Sequence, residues 1–208
     1  MKTSRPNSLH SLLWKATRHG HARVGRHALL APLMKHDLSI IQYGNALAAL
    51  HGIYARLETN IVSSLEQHEI LFDYQSRLKL PALEHDLAVL ERVAFPCETK
   101  FCTPKNIGEL IAVLYIVEGA TQGGKVITQI LRQNFRDHLP MHFFSSYGEL
   151  SMQKWSDFMF FAETTCPESE YNTAANTASA LFDSIKIHLD ACLKQLKMNY
   201  EYRSASTS

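Results

Sequence analysis

The sequence has little that would place it in a specialised class of protein. Its 208 residues include only 9 Gly and 7 Pro, too few for a fibrous or disordered chain. Its 4 cysteines have no CxxC spacing, which predicts free thiols in a reducing cytoplasm rather than a zinc site or a disulfide framework. Lys and Arg number 21 against 20 Asp and Glu, so we expect no nucleic-acid partner that relies on a basic surface.

Long hydrophobic segments are also lacking. The longest wholly apolar run, 110–117, is far shorter than the roughly 20 residues that span a bilayer. The N-terminus has no apolar stretch of the kind found in secretory signals, so we expect a cytoplasmic chain with no membrane partner. Because 46% of the residues are hydrophobic, we expect one domain, 1–208, with frayed ends at about 1–7 and 200–208.

Positive charge is concentrated at the start of the chain. Seven basic residues and five histidines precede the first acidic residue, Asp37. This pattern is typical of a solvated basic face, but it also suits a site for an anionic ligand or an acidic partner protein.

The apolar residues repeat with helical spacing nearly throughout. One stripe on the first helix comprises Leu9, Leu13, Thr17, His21 and Val24. Ser39 and Gln42 predict a capping box before a long helix. Thr103, with Pro104 at the first helical position, predicts the start of another helix that continues to about Asn134. With no convincing alternating strand, the pattern predicts an all-α domain of seven or eight helices.

Three glycines, Gly119, Gly123 and Gly124, lie inside that later helix. Each interior glycine costs about 1 kcal/mol relative to alanine, and about 3 kcal/mol in total is a large fraction of a typical domain's stability. The polar neighbours Glu118 and Gln122 exclude a membrane dimerisation motif. Two explanations remain: close helix packing or a kink, or a flat ligand that lies against the bared backbone.

A second unusual feature is His21 on the apolar stripe of the first helix. A lone histidine in such a place is more often a hydrogen-bonded core residue. Arg18 and Lys15 lie beside it, however, and an imidazole flanked by cations suits a metal-bearing dianion such as haem, with iron for the histidine and propionates for the cations. A haem held between a histidine helix and a glycine helix would explain both features.

Five segments form an ordered set along the chain. They are ATRHGH at 16–21, YARLE at 54–58, LPALEHDL at 80–87, LYIVEGATQGG at 114–124, and FFSSYG at 143–148 followed by WSDF at 155–158. The set resembles the haem oxygenases, most closely the bacterial type associated with bacteriophytochromes. One such motif is weak, but five in the right order are specific, and the resemblance covers nearly the whole chain.

The resemblance implies a haem-oxygenase-like fold, with haem between the first helix and a glycine-kinked distal helix. Haem would be both cofactor and substrate, cleaved to biliverdin, CO and iron with O2 and external electrons. His21 would be the axial ligand of the iron, and Tyr54, Gly119 and Ala120 would order water and oxygen on the other side. The residues implied to contact haem are Lys15, Thr17, Arg18, Val24, Tyr115, Gly119, Gly123, Gly124 and Phe182.

The resemblance also implies partners. Electrons would come from a ferredoxin or an NAD(P)H-dependent reductase that docks on the basic N-terminal face, and a bacteriophytochrome would receive the biliverdin. Two positions depart from the family pattern: Gly25 stands where many members carry an acid, and Ala120 stands in place of an aspartate or serine.

Three other functions remain to be weighed. A haem carrier, store or sensor without oxygenase activity on the same fold is favoured slightly by Gly25 and Ala120. A di-iron carboxylate oxidase needs Glu-x-x-His pairs, and no Glu or Asp here has His three residues later. A purely structural module leaves the three glycines unexplained.

Overall fold

Residues 8–135 and 138–205, which the computed structural model describes, form helices and connecting loops without a strand. These ranges contain six α-helices: α1 (Leu9–Gly25), α2 (Ile40–Gln67), α3 (Leu80–Val89), α4 (Ile107–Phe135), α5 (Ser151–Thr165) and α6 (Tyr171–Ala205). Four short 3-10 helices lie between them, at Ala31–Met34, Gln75–Arg77, Gly148–Leu150 and Glu168–Glu170. The all-α prediction is therefore confirmed.

Two further predictions concern thiols and chain ends. The four cysteines are free thiols, as expected. We expected frayed ends at about 1–7 and 200–208. Residues 1–7 and 206–208 lie outside the described residues, whereas 200–205 continue α6, so the expectation is wrong for that part of the second segment.

The capping box predicted for α2 is present. The hydroxyl of Ser39 accepts the backbone N–H of Gln42 at 3.2 Å, and the side-chain oxygen of Gln42 accepts the backbone N–H of Ser39 at 2.9 Å. Two of the N–H groups that a helix start leaves without an intrahelical partner are thereby satisfied.

The predicted start of α4 at Thr103 and Pro104 is wrong, because the helix begins at Ile107. The side-chain oxygen of Asn106 accepts the backbone N–H of Glu109 at 2.9 Å, and the carboxylate of Glu109 accepts the backbone N–H of Lys105 at 2.7 Å. Asn106 therefore caps the helix, and the preceding prolines belong to the loop.

The helices pack so that α1 and α4 stand apart. Both pack extensively on α6, whereas α2 packs on α3, α4 and α6. The contacts between α1 and α4 themselves are few. Fully buried leucines such as Leu13 of α1, Leu47 of α2 and Leu114 of α4 form the core, and the gap between α1 and α4 remains open for a ligand.

By length and composition, α4 is also apolar enough to cross a membrane. Half of its most apolar 18-residue segment is buried inside the protein. A core helix of a soluble protein meets the same criterion, so the result is weak evidence for a membrane span.

Candidate functional site

A cavity of about 760 Å³ opens between α1, α2, α4 and α6. This volume is within the roughly 300–1,000 Å³ that small-molecule pockets occupy. Aliphatic and aromatic side chains make up much of its wall, among them Leu50, Ile53, Ile127, Phe143 and Trp155. The site is therefore suited to a largely apolar ligand.

His21 faces this cavity from α1 and is exposed. Within the part of the chain that the structure describes, its imidazole has no hydrogen-bond partner. His27, one turn and a half further on, is different: it is buried, its Nδ1 accepts the backbone N–H of Leu29 at 3.2 Å, and its Nε2 lies 3.3 Å from Asp190. The hydrogen-bonded core histidine of this region is thus His27, and the ring nitrogens of His21 are available to a metal.

The neighbours of His21 on α1 differ in their exposure to the cavity. Thr17, Arg18 and Val24 line it, and the guanidinium of Arg18 lies over the ring of Trp14, 5.7 Å from its centroid. Lys15 is exposed and is not among the lining residues. Arg18 is therefore the better placed of the two cations that we predicted beside an anionic ligand.

The three glycines of α4 have different surroundings, although the helix runs without a break through all of them. A Cβ added to Gly123 would meet no atom within 4 Å, and one added to Gly119 would make an ordinary contact with Trp155 at 3.6 Å. A Cβ on Gly124 would stand 2.4 Å from the carbonyl oxygen of Phe144. Gly124 thus allows close packing of a loop, whereas Gly119 and Gly123 leave free space on the cavity side.

The other predicted residues also line the cavity. Ala120 and Tyr115 contribute from α4, and Phe182 contributes from α6. His10, to which sequence reasoning gave no role, lies at the same wall, with its ring 6.3 Å from that of Trp155. The structure therefore brings together the predicted contact residues with the exception of Lys15, while their roles remain predictions.

Tyr54 of α2 is buried at the cavity wall, and its ring packs edge-on against Phe143 at 4.9 Å. Among the described residues its hydroxyl has no hydrogen-bond partner. Burial raises the pKa of Tyr54, and the nearby carboxylates of Glu58 and Glu118 raise it further. The phenol therefore keeps its proton at neutral pH and offers an O–H donor at the cavity.

A buried charge network that sequence reasoning missed lies behind the glycine segment. The carboxylate of Glu118 is fully buried and accepts hydrogen bonds from Arg77 at 2.8 Å, Lys79 at 3.0 Å and the Tyr147 hydroxyl at 2.8 Å. Lys79 also lines the cavity. Because Glu118 immediately precedes Gly119, the network fixes the start of the glycine segment against the chain around α3 and α5.

Glu58 completes this network on the α2 side. Its carboxylate accepts the backbone N–H groups of Lys79 at 2.8 Å and Leu80 at 3.1 Å, and the hydroxyl of Tyr74 at 3.3 Å. Burial raises the pKa of Glu58, and these hydrogen bonds oppose that shift. Both glutamates belong to the motifs noted in the sequence, but nothing there indicated Arg77 or Lys79 as their partners.

Solved haem oxygenases have the same fold as this chain. The structure matches that of the haem oxygenase from Leptospira interrogans with a TM-score of 0.67 and 16% sequence identity, over 88% of this chain and 98% of that chain. It matches haem oxygenase-1 from the cyanobacterium Synechocystis, solved in complex with haem, with a TM-score of 0.66 and 14% identity, over 96% and 99%. No family model and no curated protein sequence matches the chain. The chain therefore has the haem oxygenase fold, which confirms the predicted resemblance at the level of structure.

Proposed function

We propose that this chain is a haem oxygenase that binds haem with His21 as the axial iron ligand and cleaves it to biliverdin, CO and iron. One observation carries the proposal. The exposed imidazole of His21 and the bare backbone at Gly119 and Gly123 line the same cavity, on two helices whose backbones stand apart. The fold of the two solved haem oxygenases supports it.

The residues of the cavity fit haem in their chemistry. A neutral imidazole is a common axial ligand of haem iron, and the guanidinium of Arg18 suits a propionate carboxylate. Apolar side chains such as Leu50, Ile53 and Ile127 would cover the porphyrin faces. When bound, haem supplies the iron at which O2 is activated and the porphyrin that is cleaved.

The chain's own contribution is space and a hydrogen-bond donor. Gly119 and Gly123 present no side chain, and Ala120 presents only a methyl group, so a small molecule can lie close to the α4 backbone. The protonated hydroxyl of Tyr54 can hydrogen-bond to a water in the cavity, together with backbone atoms of Gly119 and Ala120. Phe143 and Trp155 line the same part of the cavity, and such apolar surroundings strengthen hydrogen bonds.

The exposed cations of α1 suit an electron donor with an acidic surface, because opposite charge steers the two proteins together. Lys15, Arg18 and Arg26 are exposed there, while Arg23 forms an ion pair with Asp183. The donor would be a ferredoxin or an NAD(P)H-dependent reductase, and the biliverdin would pass to a bacteriophytochrome. An electron donor and a biliverdin acceptor of these kinds would place the chain in the cytoplasm.

A haem-binding protein without turnover is the second candidate. A Cβ on Gly25 would meet nothing within 4 Å, and Ala120 has no polar atom in its side chain. The proximal and distal sides therefore both lack a polar side chain at a position where many haem oxygenases carry one. Such a site can hold haem while it orders water poorly.

An absorption experiment separates the two candidates. Hemin is added to the purified chain, the Soret band is recorded, and ascorbate is then added in air with catalase present to remove free peroxide. A haem oxygenase loses the Soret band and forms biliverdin, which is identified after extraction. A persistent Soret band favours the carrier, store or sensor, and failure to form a 1:1 haem complex overturns both.

A further inference from the structure

Three side chains with metal-ligating atoms meet outside the cavity. His85 and Asp86 belong to α3, and His142 lies in the loop that follows α4; their ligand atoms all lie within 4.8 Å of one another. Nδ1 of His142 is 2.9 Å from Oδ1 of Asp86, and Nδ1 of His85 is 3.7 Å from the same oxygen. The two imidazole rings are 4.3 Å apart between centroids.

These separations suit ligands of a single ion. Nitrogen and oxygen ligands lie about 2.1 Å from a first-row divalent metal, so two ligands are about 3.0 Å apart at a right angle and about 3.7 Å apart at a wide angle. The distances from Asp86 to the two histidines are close to those limits.

The exposure of the three groups also suits a binding site. The Asp86 side chain is fully buried, whereas those of His85 and His142 are 54% and 61% exposed. Two backbone groups orient the carboxylate: the N–H of His142 donates to Oδ1 at 3.1 Å, and the N–H of Phe143 donates to Oδ2 at 2.9 Å. Such hydrogen bonds to a ligating carboxylate are typical of metal sites, and solvent reaches both histidines.

A loop-clamping role for Asp86 explains only part of this arrangement. The two backbone hydrogen bonds account for the burial of Asp86, and the imidazole of His142 adds a third. They do not account for His85, which has no hydrogen-bond partner among the described residues although its ring lies against that of His142. Two imidazoles directed at one carboxylate oxygen form a ligand set.

We propose that His85, Asp86 and His142 bind a divalent first-row transition-metal ion such as Zn²⁺, Co²⁺ or Ni²⁺. Imidazole together with carboxylate is a ligand set that suits these ions, and each ligating imidazole is neutral when it binds. The ion would tie α3 to the loop that carries Phe143, which lines the cavity. This site does not depend on the proposed reaction with haem.

The test is a metal titration of the full chain without an affinity tag, after treatment with a chelator and without added haem. Co²⁺ binding is followed by visible absorption and Zn²⁺ binding by calorimetry. We expect one ion per chain at this site. His85→Ala and His142→Ala should each weaken its binding at least about tenfold, as loss of a supporting group alone does in known sites.

The control is His68→Ala, because His68 is exposed at the end of α2 and lies outside the cluster. It should leave the affinity unchanged. His85→Ala removes no hydrogen bond and should fold. If circular dichroism shows that His142→Ala is unstable, the metal affinity of His85→Ala alone tests the proposal. The proposal is overturned if the parent binds no ion, if His85→Ala binds within twofold of the parent, or if His68→Ala weakens binding equally.

Discussion

Phe182 on α6 lies edge-on to the imidazole of His21 on α1, with ring centroids 6.1 Å apart and an interplanar angle of 84°. The approach of the two helices depends on Gly20, where an added Cβ would stand 2.6 Å from the Cβ of Phe182. His21 is thus held beside Phe182 by the close packing of α1 on α6.

His21→Ala should abolish the haem spectrum of the chain, because the other α1 histidine at the cavity wall, His10, lies eleven residues away beside Trp155. The measurement is the Soret band of the hemin complex. His19→Ala is the matched control, since His19 is exposed and does not line the cavity. Retention of the parent spectrum in His21→Ala, with its loss in His19→Ala, would show that the wrong histidine has been assigned.

Alanine at the three glycines of α4 should have opposite effects on the apo-protein. Gly119→Ala and Gly123→Ala should stabilise the apo-protein by up to about 1 kcal/mol each, because alanine has the higher helix propensity. Their new methyl groups meet no close neighbour, so no clash offsets this gain. Gly124→Ala should lose roughly 1–3 kcal/mol by overpacking against the Phe144 carbonyl. Urea unfolding without haem measures all three.

The same variants should separate stability from function. Gly119→Ala and Gly123→Ala place a methyl group in the cavity, so we expect poor biliverdin formation from stable proteins. Full activity in the folded fraction of a destabilised Gly119→Ala would refute its haem-facing role.

Arg18→Ala should weaken haem binding by about 1–3 kcal/mol, the scale of a charge-assisted hydrogen bond. Lys15→Ala is the companion variant and should weaken it less, because Lys15 does not line the cavity. Dissociation constants for hemin, measured by titration of both variants, give the comparison. Equal affinities of parent and Arg18→Ala would mean that the guanidinium stays in solvent.

Glu118→Gln should destabilise the apo-protein by about 3–5 kcal/mol, because it leaves the buried cations Arg77 and Lys79 without their shared carboxylate. Glu149→Gln, at an exposed position, should change the unfolding free energy by no more than about 0.5 kcal/mol. Urea unfolding checks both. A loss below 1 kcal/mol at Glu118, about the scale of a single neutral hydrogen bond, would contradict the proposed importance of the network.

The stability of the chain should fall in mild acid partly because of His188. This residue is 1% exposed and its Nε2 lies 2.9 Å from the carbonyl oxygen of Ala49; burial lowers its pKa. Above about pH 6.5 the imidazole is neutral in both the folded and the unfolded chain. Below that, the unfolded chain binds a proton that the folded chain resists, so the free energy of unfolding falls by up to about 1.4 kcal/mol per pH unit.

Urea unfolding between pH 7.5 and 5 tests this assignment. His188→Gln should show a smaller fall than the parent, whereas His68→Gln, at an exposed site, should keep the parent's dependence. Identical pH dependence in the parent and His188→Gln would assign the fall to other groups.

Helix caps formed by residues close in sequence could be predicted from the sequence, although not always at the right position. The capping box of Ser39 and Gln42 involves residues three apart, and the structure contains it. The start of α4 was misplaced because Thr103 with Pro104 and Asn106 with Glu109 are both valid local signals. The choice between them depends on hydrogen bonds that only the folded loop makes.

The features that sequence reasoning missed depend on long-range contacts. Arg77 and Glu118 are 41 residues apart, and no periodicity relates them. Gly123 and Gly124 are adjacent in one motif, yet a helix rotates by about 100° per residue, so an added Cβ would enter open space at Gly123 and meet the Phe144 carbonyl at Gly124. The sequence could not show which glycine packs against the loop, because that depends on where the loop that carries Phe144 lies in the fold.

The mouth of the cavity affects how the protein behaves in storage. Trp14 and Met34 both line it and are 53% and 54% exposed. An apolar surface of this kind is a place where molecules adhere to one another. Concentrated preparations without ligand should therefore be the less colloidally stable form of the chain, and an occupant that covers these two side chains should keep the molecules apart.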